Sequence, residues 1–361
     1  MSQQETAARE QLQFLLKLQS LLTEGRFVAS YKFALLLAIC DLCVEMDAPD
    51  ESELRVPLNR IAEKFIVYYW RHVLPYVPAP DSNAFVLRQN TGRQAAIIRR
   101  VQDAHQSFHG SLSAAQQNHV SWTNLVAAVR GIVLEMPLWK LQRIGESVDP
   151  FIYRQDCLVN DCIELLPGVA DCMRAFHGLI SELIRTSWIR YIRQTNAAAL
   201  QGDRDLTEFL FGAERVQLAP VAQLLTVLQS GNCFYCDRQA RESAEVDHFV
   251  PWSRYPSDLG HNFVMAHAAC NRNKGASLPA ECHLAKWVNR NERNDGSFAQ
   301  ELRQLGIVTD WNSSRQVAHW AYESADAVGA PLWMATAEMV PITDQWRTIL
   351  DVPHSGREIS R

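Results

Sequence analysis

The chain has 361 residues, of which 47% are apolar and 21% charged; this gives room for two or three packed domains of about 100–200 residues and excludes a largely disordered protein. Lys and Arg number 35 against 40 Asp and Glu, a net charge of −5, so a chain-wide basic footprint is absent and any nucleic-acid contact must come from local patches. The longest unbroken apolar run, Phe33 to Cys40, is far short of the roughly 20 residues a membrane-crossing helix needs.

The opening MSQQETAAREQ has no basic segment leading into an apolar one, so no secretory signal is read and a cytoplasmic location without membrane association is expected. Leu12, Leu15, Leu16, Leu18, Leu21 and Leu22 then recur at helical spacing until Gly25. Tyr31 to Glu45 is apolar nearly all round, which predicts a buried helix. Pro78, Pro80 and the DSN that follows mark a loop, and residues 91–108 restart a helical pattern carrying Arg93, Arg99 and Arg100. After Pro137, PLWKLQRI and PFIYR are short and rich in branched or aromatic residues, which predicts two small strands. From about Val169 to Gln194 a long helix follows Pro167-Gly168, with Arg185, Arg190 and Arg193 interleaved with Trp188 and Tyr191. That stripe either tracks a nucleic-acid backbone or is a solvated face whose aromatics pack inward.

Residues 195–230 form a connection with one helix, Val221 to Leu228, after Pro220. Near residue 230 the composition shifts to cysteine, histidine, asparagine and aromatic residues, and beyond about 290 helical patterning returns, as in Gln316 to Ala325, before a polar tail, HSGREISR. The expected chain is mainly α: a mostly helical recognition or partner domain over 1–195 with a small β element, a second domain over 196–290 with a lead-in helix, and a helical segment with its tail over 291–361.

The nine cysteines are odd in number and spread from Cys40 to Cys282, which in a reducing compartment argues against a disulfide framework and for metal ligation wherever they cluster. Cys40, Cys43, Cys157, Cys162 and Cys172 are expected in the core. Residues 231–279 read GNCFYCDRQARESAEVDHFVPWSRYPSDLGHNFVMAHAACNRNKGASLP. Cys233-x-x-Cys236 and His267-x-x-Cys270 are two pairs, each able to reach one ion from a tight turn, and together they suit a closed tetrahedral zinc site pinning residues 237–266 as a lobe. Cys282 and His283 are alternatives to His267 that break the paired-turn spacing.

Inside the lobe lie Asp247-His248, Asn262 and Asn271-x-x-Lys274. These types suit phosphodiester hydrolysis: oxygen ligands for a hard divalent cation, an imidazole that accepts a proton near pH 7, and an ammonium for phosphate. The stretches CFYC, VDHFVPWS, HNFVMAH and HAACNRNKG, in that order and with Pro251 and Ser253 in place, resemble the HNH endonuclease family with its ββα-metal motif. One departure is His267, where the family has the first cysteine of a second C-x-x-C; a Cys3His zinc site is then expected.

The resemblance implies a role for each matched position. His248 is the general base, Asp247 and Asn271 hold a catalytic Mg2+ or Mn2+, and Asn262 tethers the loop and orients His248. Lys274, with Arg272 and Arg254, is placed to contact phosphate, and Cys233, Cys236, His267 and Cys270 hold a structural Zn2+. The implied substrate is DNA. A looser likeness of YKFALLLAICDL and DLTEFLFGAERVQLAPV to stand-alone HNH proteins of bacterial defence loci implies an anti-phage or restriction role, with further defence proteins, or a second copy of the chain, as partners. For Asp247 and His248 to serve one centre, Glu245 to Val250 should be a strand bending near Pro251, and Asn271 and Lys274 should share a face of a helix beginning near His267.

Neighbouring residues offer alternatives. His261 lacks the carboxylate and Pro-x-Ser context of His248. Glu245 either joins Asp247 at the metal or is simply solvated. Arg238 and Arg241 also lie in the lobe, but across 231–295 acidic residues match basic ones in number, so binding to nucleic acid should be modest and salt-dependent. The competing reading of the whole chain is a zinc-stabilised nucleic-acid-binding or regulatory protein without catalysis.

Overall fold

The computed structural model describes residues 3–25, 27–47, 54–78, 82–154, 158–200, 205–212, 218–240 and 244–351. Cys157, Pro80, Arg241 and the HSGREISR tail lie outside them. The chain divides into two compact units, residues 1–214 and 215–361. Among the described residues no helix is long and apolar enough to cross a membrane.

The first unit is built on helices α1 (Gln3–Glu24), α2 (Tyr31–Glu45), α3 (Leu58–His72), α4 (Ala96–Ser107), α5 (Leu112–Gln117), α6 (His119–Glu135), α7 (Pro137–Lys140), α8 (Val169–Ala175), α9 (His177–Thr195) and α10 (Leu206–Phe211). Its strands are only antiparallel pairs: β1 (Arg55–Pro57) with β6 (Cys162–Glu164), β2 (Pro75–Tyr76) with β3 (Phe85–Val86), and β4 (Arg143–Ile144) with β5 (Ser147–Val148). As its all-round apolar sequence predicts, α2 is the central helix, buried from Lys32 to Glu45 and packed on α3 and α9. Phe33 stacks on Trp188, which also meets Tyr69, His72 and Phe211.

A polar crosslink runs through this core. Asp41 Oδ1 lies 2.9 Å from His177 Nε2, and Oδ2 accepts the Tyr68 hydroxyl at 2.7 Å, joining α2, α9 and α3. Burial pushes the Asp41 carboxyl up, but the His177 hydrogen bond and the charge of Lys64 outweigh it and hold Asp41 well below the usual carboxylate range. Asp41→Ala removes the acceptor for two buried donors, and about 3 kcal/mol or more of stability should be lost, read as a lowered denaturation midpoint.

His72 makes the same unit acid-sensitive. Its Nε2 faces Leu210 O at 3.2 Å, its Nδ1 has no hydrogen-bond partner among the described residues, and burial pushes its pKa down to about 3. The folded state therefore keeps the ring neutral, while the unfolded chain takes up a proton near pH 6.5. This contribution is complete above about pH 6.5 and falls by up to about 1.4 kcal/mol per pH unit as pH drops toward the folded pKa. Thermal melts between pH 7 and 4.5 should show that slope, and His72→Phe should flatten it.

Three elements differ from expectation. PLWK is a helical turn with Pro137 in its first position, and the hairpin begins at Arg143. PFIYR makes only an isolated bridge, Tyr153 to Leu165, rather than a strand, because Gln142 takes its amides: Oε1 accepts from the N–H groups of Phe151, Ile152 and Tyr153, and Nε2 donates to Tyr153 O. The helix from Val169 breaks at Phe176 into α8 and α9. Trp188 and Tyr191 pack inward while Arg190 and Arg193 are exposed, as are Arg93, Arg99 and Arg100; Arg185 lies over the Phe211 ring. Cys40, Cys43 and Cys172 are buried, but Cys162 is only partly covered.

The second unit opens with α11 (Leu218–Leu228), then the antiparallel hairpin β7 (Ala244–His248) and β8 (Phe263–His267), followed by α12 (Ala268–Lys274). Helices α13 (Glu281–Gln304) and α14 (Trp311–Ala327), the hairpin β9 (Leu332–Ala335) and β10 (Glu338–Val340), and α15 (Gln345–Leu350) complete it. The units divide after 214 rather than 195 because α10 packs back on α3 and α9, and the expected boundary at 290 falls inside α13. This helix braces the site: Trp287, Arg290 and Asn291 all donate to His261 O, and Trp287 stacks on Phe249. Gly260 sits so close that a Cβ there would come within 2.7 Å of Leu302.

Candidate metal centre and active site

The turn after α11 forms the first half of the metal centre. Cys233 N donates to Arg238 O at 2.9 Å and Asp237 N to Cys233 O at 3.0 Å, with Asp237 in the left-handed region at φ 57°, so Cys233 and Cys236 are brought to one side. The second half is the junction of β8 and α12: His267 precedes the first residue of the helix and Cys270 lies in its first turn. The donor atoms of Cys233, Cys236, His267 and Cys270 all lie within 4.8 Å of one another. Ligands about 2.0–2.3 Å from a tetrahedral zinc are about 3.3–3.8 Å apart, so little contraction is needed. His267 Nδ1 is 3.3 Å from Cys236 Sγ, and its Nε2 donates to Gln239 O at 3.0 Å. That second bond fixes the tautomer whose bare Nδ1 faces the cluster, the usual support for a metal-binding histidine.

Electrostatics agree with a cation here. Burial opposes ionisation of Cys236, yet the backbone and guanidinium of Arg238 bring its thiol down to about 6. Cys270 is pushed up to about 12 by burial and by the neighbouring thiols. Crowded sulfurs that repel one another as anions are relieved by a divalent ion, and the donor set fits structural zinc. Cys282 and His283 lie outside the cluster, the former beside Met334 Sδ and the latter against Met334 O.

The hairpin positions the second group. Register runs without a break from Ala244↔His267 to His248↔Phe263, so Glu245 and Asp247 share one strand face. Asn271 Nδ2 donates to Glu245 Oε2 at 3.2 Å. Asp247 Oδ2 accepts the Tyr235 hydroxyl at 2.6 Å and lies 3.1 Å from Lys274 Nζ. Burial raises the Asp247 carboxyl against the pull of Lys274 and Tyr235, and burial lowers the Lys274 ammonium against Asp247. Glu245 is therefore in the Asn271 neighbourhood rather than merely solvated.

The expected strand to Val250 stops at His248, because Asn262 takes over the pairing beyond it. Phe249 N donates to Asn262 O, Val250 N to Asn262 Oδ1 at 2.8 Å, and Asn262 Nδ2 to Val250 O at 2.9 Å. The turn into Pro251 is thereby tied down. His248 packs against the rings of Trp252 and Phe263, with centroids 5.1 and 5.0 Å away, and its Nε2 is 2.9 Å from Asp258 Oδ1. His261 is 1% exposed, packed against Phe298 and Trp311.

Lys274 is the clear departure from expectation. It shares the helix with Asn271 as foreseen, but it is 1% exposed, bonded to Asp247 and to His248 O, and has no path to a phosphate. Its charge is spent on internal neutralisation and on holding the end of β7. Arg272 is exposed, and Arg254 is partly buried with Nε toward Ala276 O. Sequence reasoning missed Tyr235 and Asp258. Tyr235 lies inside the C-x-x-C knuckle, where any residue satisfies the motif, and Asp258 sits in a loop whose path no spacing rule sets.

Residues 231–280 match the family model described as HNH endonuclease, and the Cys/His cluster with its hairpin and helix fits an HNH domain. No curated protein matches the chain, and no solved structure does. Residues 10–208, more than half of the chain, match the family described as Domain of unknown function (DUF8808), and the chain belongs to that family.

Proposed function

We propose that the chain is a metal-dependent endonuclease that hydrolyses DNA phosphodiester bonds, with His248 as general base and Asp247 and Asn271 as ligands of a catalytic Mg2+ or Mn2+. The observation that carries this reading is the part-exposed imidazole of His248, held by Asp258 at the end of a strand whose preceding residue, Asp247, is buried against Lys274, with the Glu245–Asn271 pair on the same strand and the following helix. Carboxylate and amide oxygens are the donors a hard cation prefers. The chemistry such an ion supplies when bound is neutralisation of the scissile phosphate and of the departing 3′-oxygen. His248 takes the proton of the attacking water, Asn262 holds the turn that carries His248, and Arg272 and Arg254 offer guanidinium donors to the phosphodiester backbone.

The division of labour follows. The HNH region, within residues 196–290, cuts; residues 1–195 recognise substrate, partner or signal; residues 291–361 brace the nuclease fold through the helix that runs on from it. A large helical unit with its own core joined to a small nuclease unit suits controlled cleavage, and bacterial anti-phage defence or restriction in the cytoplasm is the setting we infer. One observation favours a non-catalytic reading: the Lys274 ammonium already sits on the Asp247 carboxylate.

Plasmid DNA separates the two readings. Incubation with the purified chain and Mg2+ or Mn2+ should give nicked or linear product, and chelator should stop it. Retardation of the plasmid on a gel with no cutting under either metal would support the binding protein instead.

A further inference from the structure

We propose that Asp258 is the positioning residue of His248, its carboxylate holding the imidazole with hydrogen on Nε2 and the lone pair on Nδ1. The inference rests on the nuclease reading above and adds a member to that site. An ionised carboxylate only accepts hydrogen bonds, so at 2.9 Å from Oδ1 the imidazole Nε2 must donate. A neutral ring that donates from Nε2 presents its base at Nδ1. Trp252 and Phe263 both pack edge-on with the ring, at interplanar angles of 62° and 65°, and restrict its plane. Plane and tautomer are then both set before substrate arrives.

The loop that brings Asp258 here is itself anchored. Leu259 bridges to Val308, Gly260 N donates to Val308 O at 2.8 Å, and Asn262 N donates to Leu259 O at 2.9 Å. Asp258 is thus delivered by a segment held against the end of α13, four residues before the asparagine that ties the His248 turn. The side chains of His248 and Asp258 are 16% and 20% exposed, so the pair is at the rim, where substrate can reach the ring while most of its hydration is removed. A surface ion pair of purely structural value would contribute up to about 1 kcal/mol and would need the charge on both partners. A positioning carboxylate also sets the tautomer of the ring, a readout that a purely structural pair would leave unmoved.

The test uses the full chain with 15N-labelled histidine, whose long-range 1H–15N spectrum reports the tautomer of His248, alongside initial rates of plasmid nicking in Mg2+. Wild type should show the Nε2–H form. Asp258→Ala should populate the Nδ1–H form and lower kcat by about 10–100-fold, the loss that follows removal of an orienting partner behind a functional histidine, with KM nearly unchanged. Asp258→Glu, which keeps a carboxylate acceptor, should retain the Nε2–H form and recover most of the rate, whereas Asp258→Asn, whose amide can turn an N–H toward Nε2, should not. An unaltered tautomer in Asp258→Ala overturns the proposal, as does wild-type cleavage by Asp258→Ala when His248→Ala is inactive. Full cleavage by His248→Ala would instead remove the underlying assignment of His248, and the dyad's purpose with it.

Discussion

Replacing His248 with alanine should leave a folded chain that nicks plasmid DNA at least about 100-fold more slowly than wild type, because a positioned general base commonly contributes about 10²–10⁴ to the rate. The fold should tolerate the change. The ring is partly exposed and its hydrogen-bond partner, Asp258, reaches solvent, so water can replace the lost bond. What is lost from stability is edge contact with Trp252 and Phe263, about 1 kcal/mol. Asn262→Ala makes the contrasting case. It strips partners from both the N–H and the C=O of buried Val250, at about 1–3 kcal/mol for each group left unsatisfied, so activity and stability should fall together. Melting curves beside nicking rates for the two variants separate a chemical role from a tethering one; a His248→Ala protein with wild-type rates would remove the imidazole from the reaction.

How far the sequence could be read depends on how local the cause was. The metal centre was legible because two x-x pairs impose two tight turns, and α2 because eight consecutive apolar residues leave a helix no polar face. Lys274 was half legible. Its spacing from Asn271 places both on one face of α12, but only the packing of that face on β7 turns the ammonium inward to Asp247. The PFIYR segment was misread because its apolar, branched composition suits a strand, while the bonds that would build one go to a glutamine nine residues away at the nearest. Asp258 left no local trace: its value lies in the imidazole across the loop. Residues whose partner is set by tertiary path, rather than by periodicity, are the ones missed.

Removing the zinc should destabilise the second unit while sparing the first. Elemental analysis of the dialysed chain should find one tightly held zinc, and Cys236→Ser should lose it, since three remaining donors leave the ion without its fourth ligand. The centre ties the turn after α11 to the β8–α12 junction, so its loss frees both ends of the hairpin that carries Asp247 and His248. Zinc contributes about 10–16 kcal/mol to folding in isolated finger peptides. Here the stacked Phe249–Trp287 rings and the tilted Trp287–Trp311 pair add a core of their own, so the dependence should be smaller yet still several kcal/mol. At about 2–4 °C per kcal/mol for a domain of this size, the melting transition of the second unit should drop by about 10 °C or more in Cys236→Ser and in chelator-treated wild type. The first unit, which contributes no donor to the cluster, should keep its transition. Nicking by Cys236→Ser should be lost at the lower temperature where its second unit melts, and added Mg2+ should not restore it; cleavage that survives zinc loss with the melting profile unchanged would show the four donors to be bystanders.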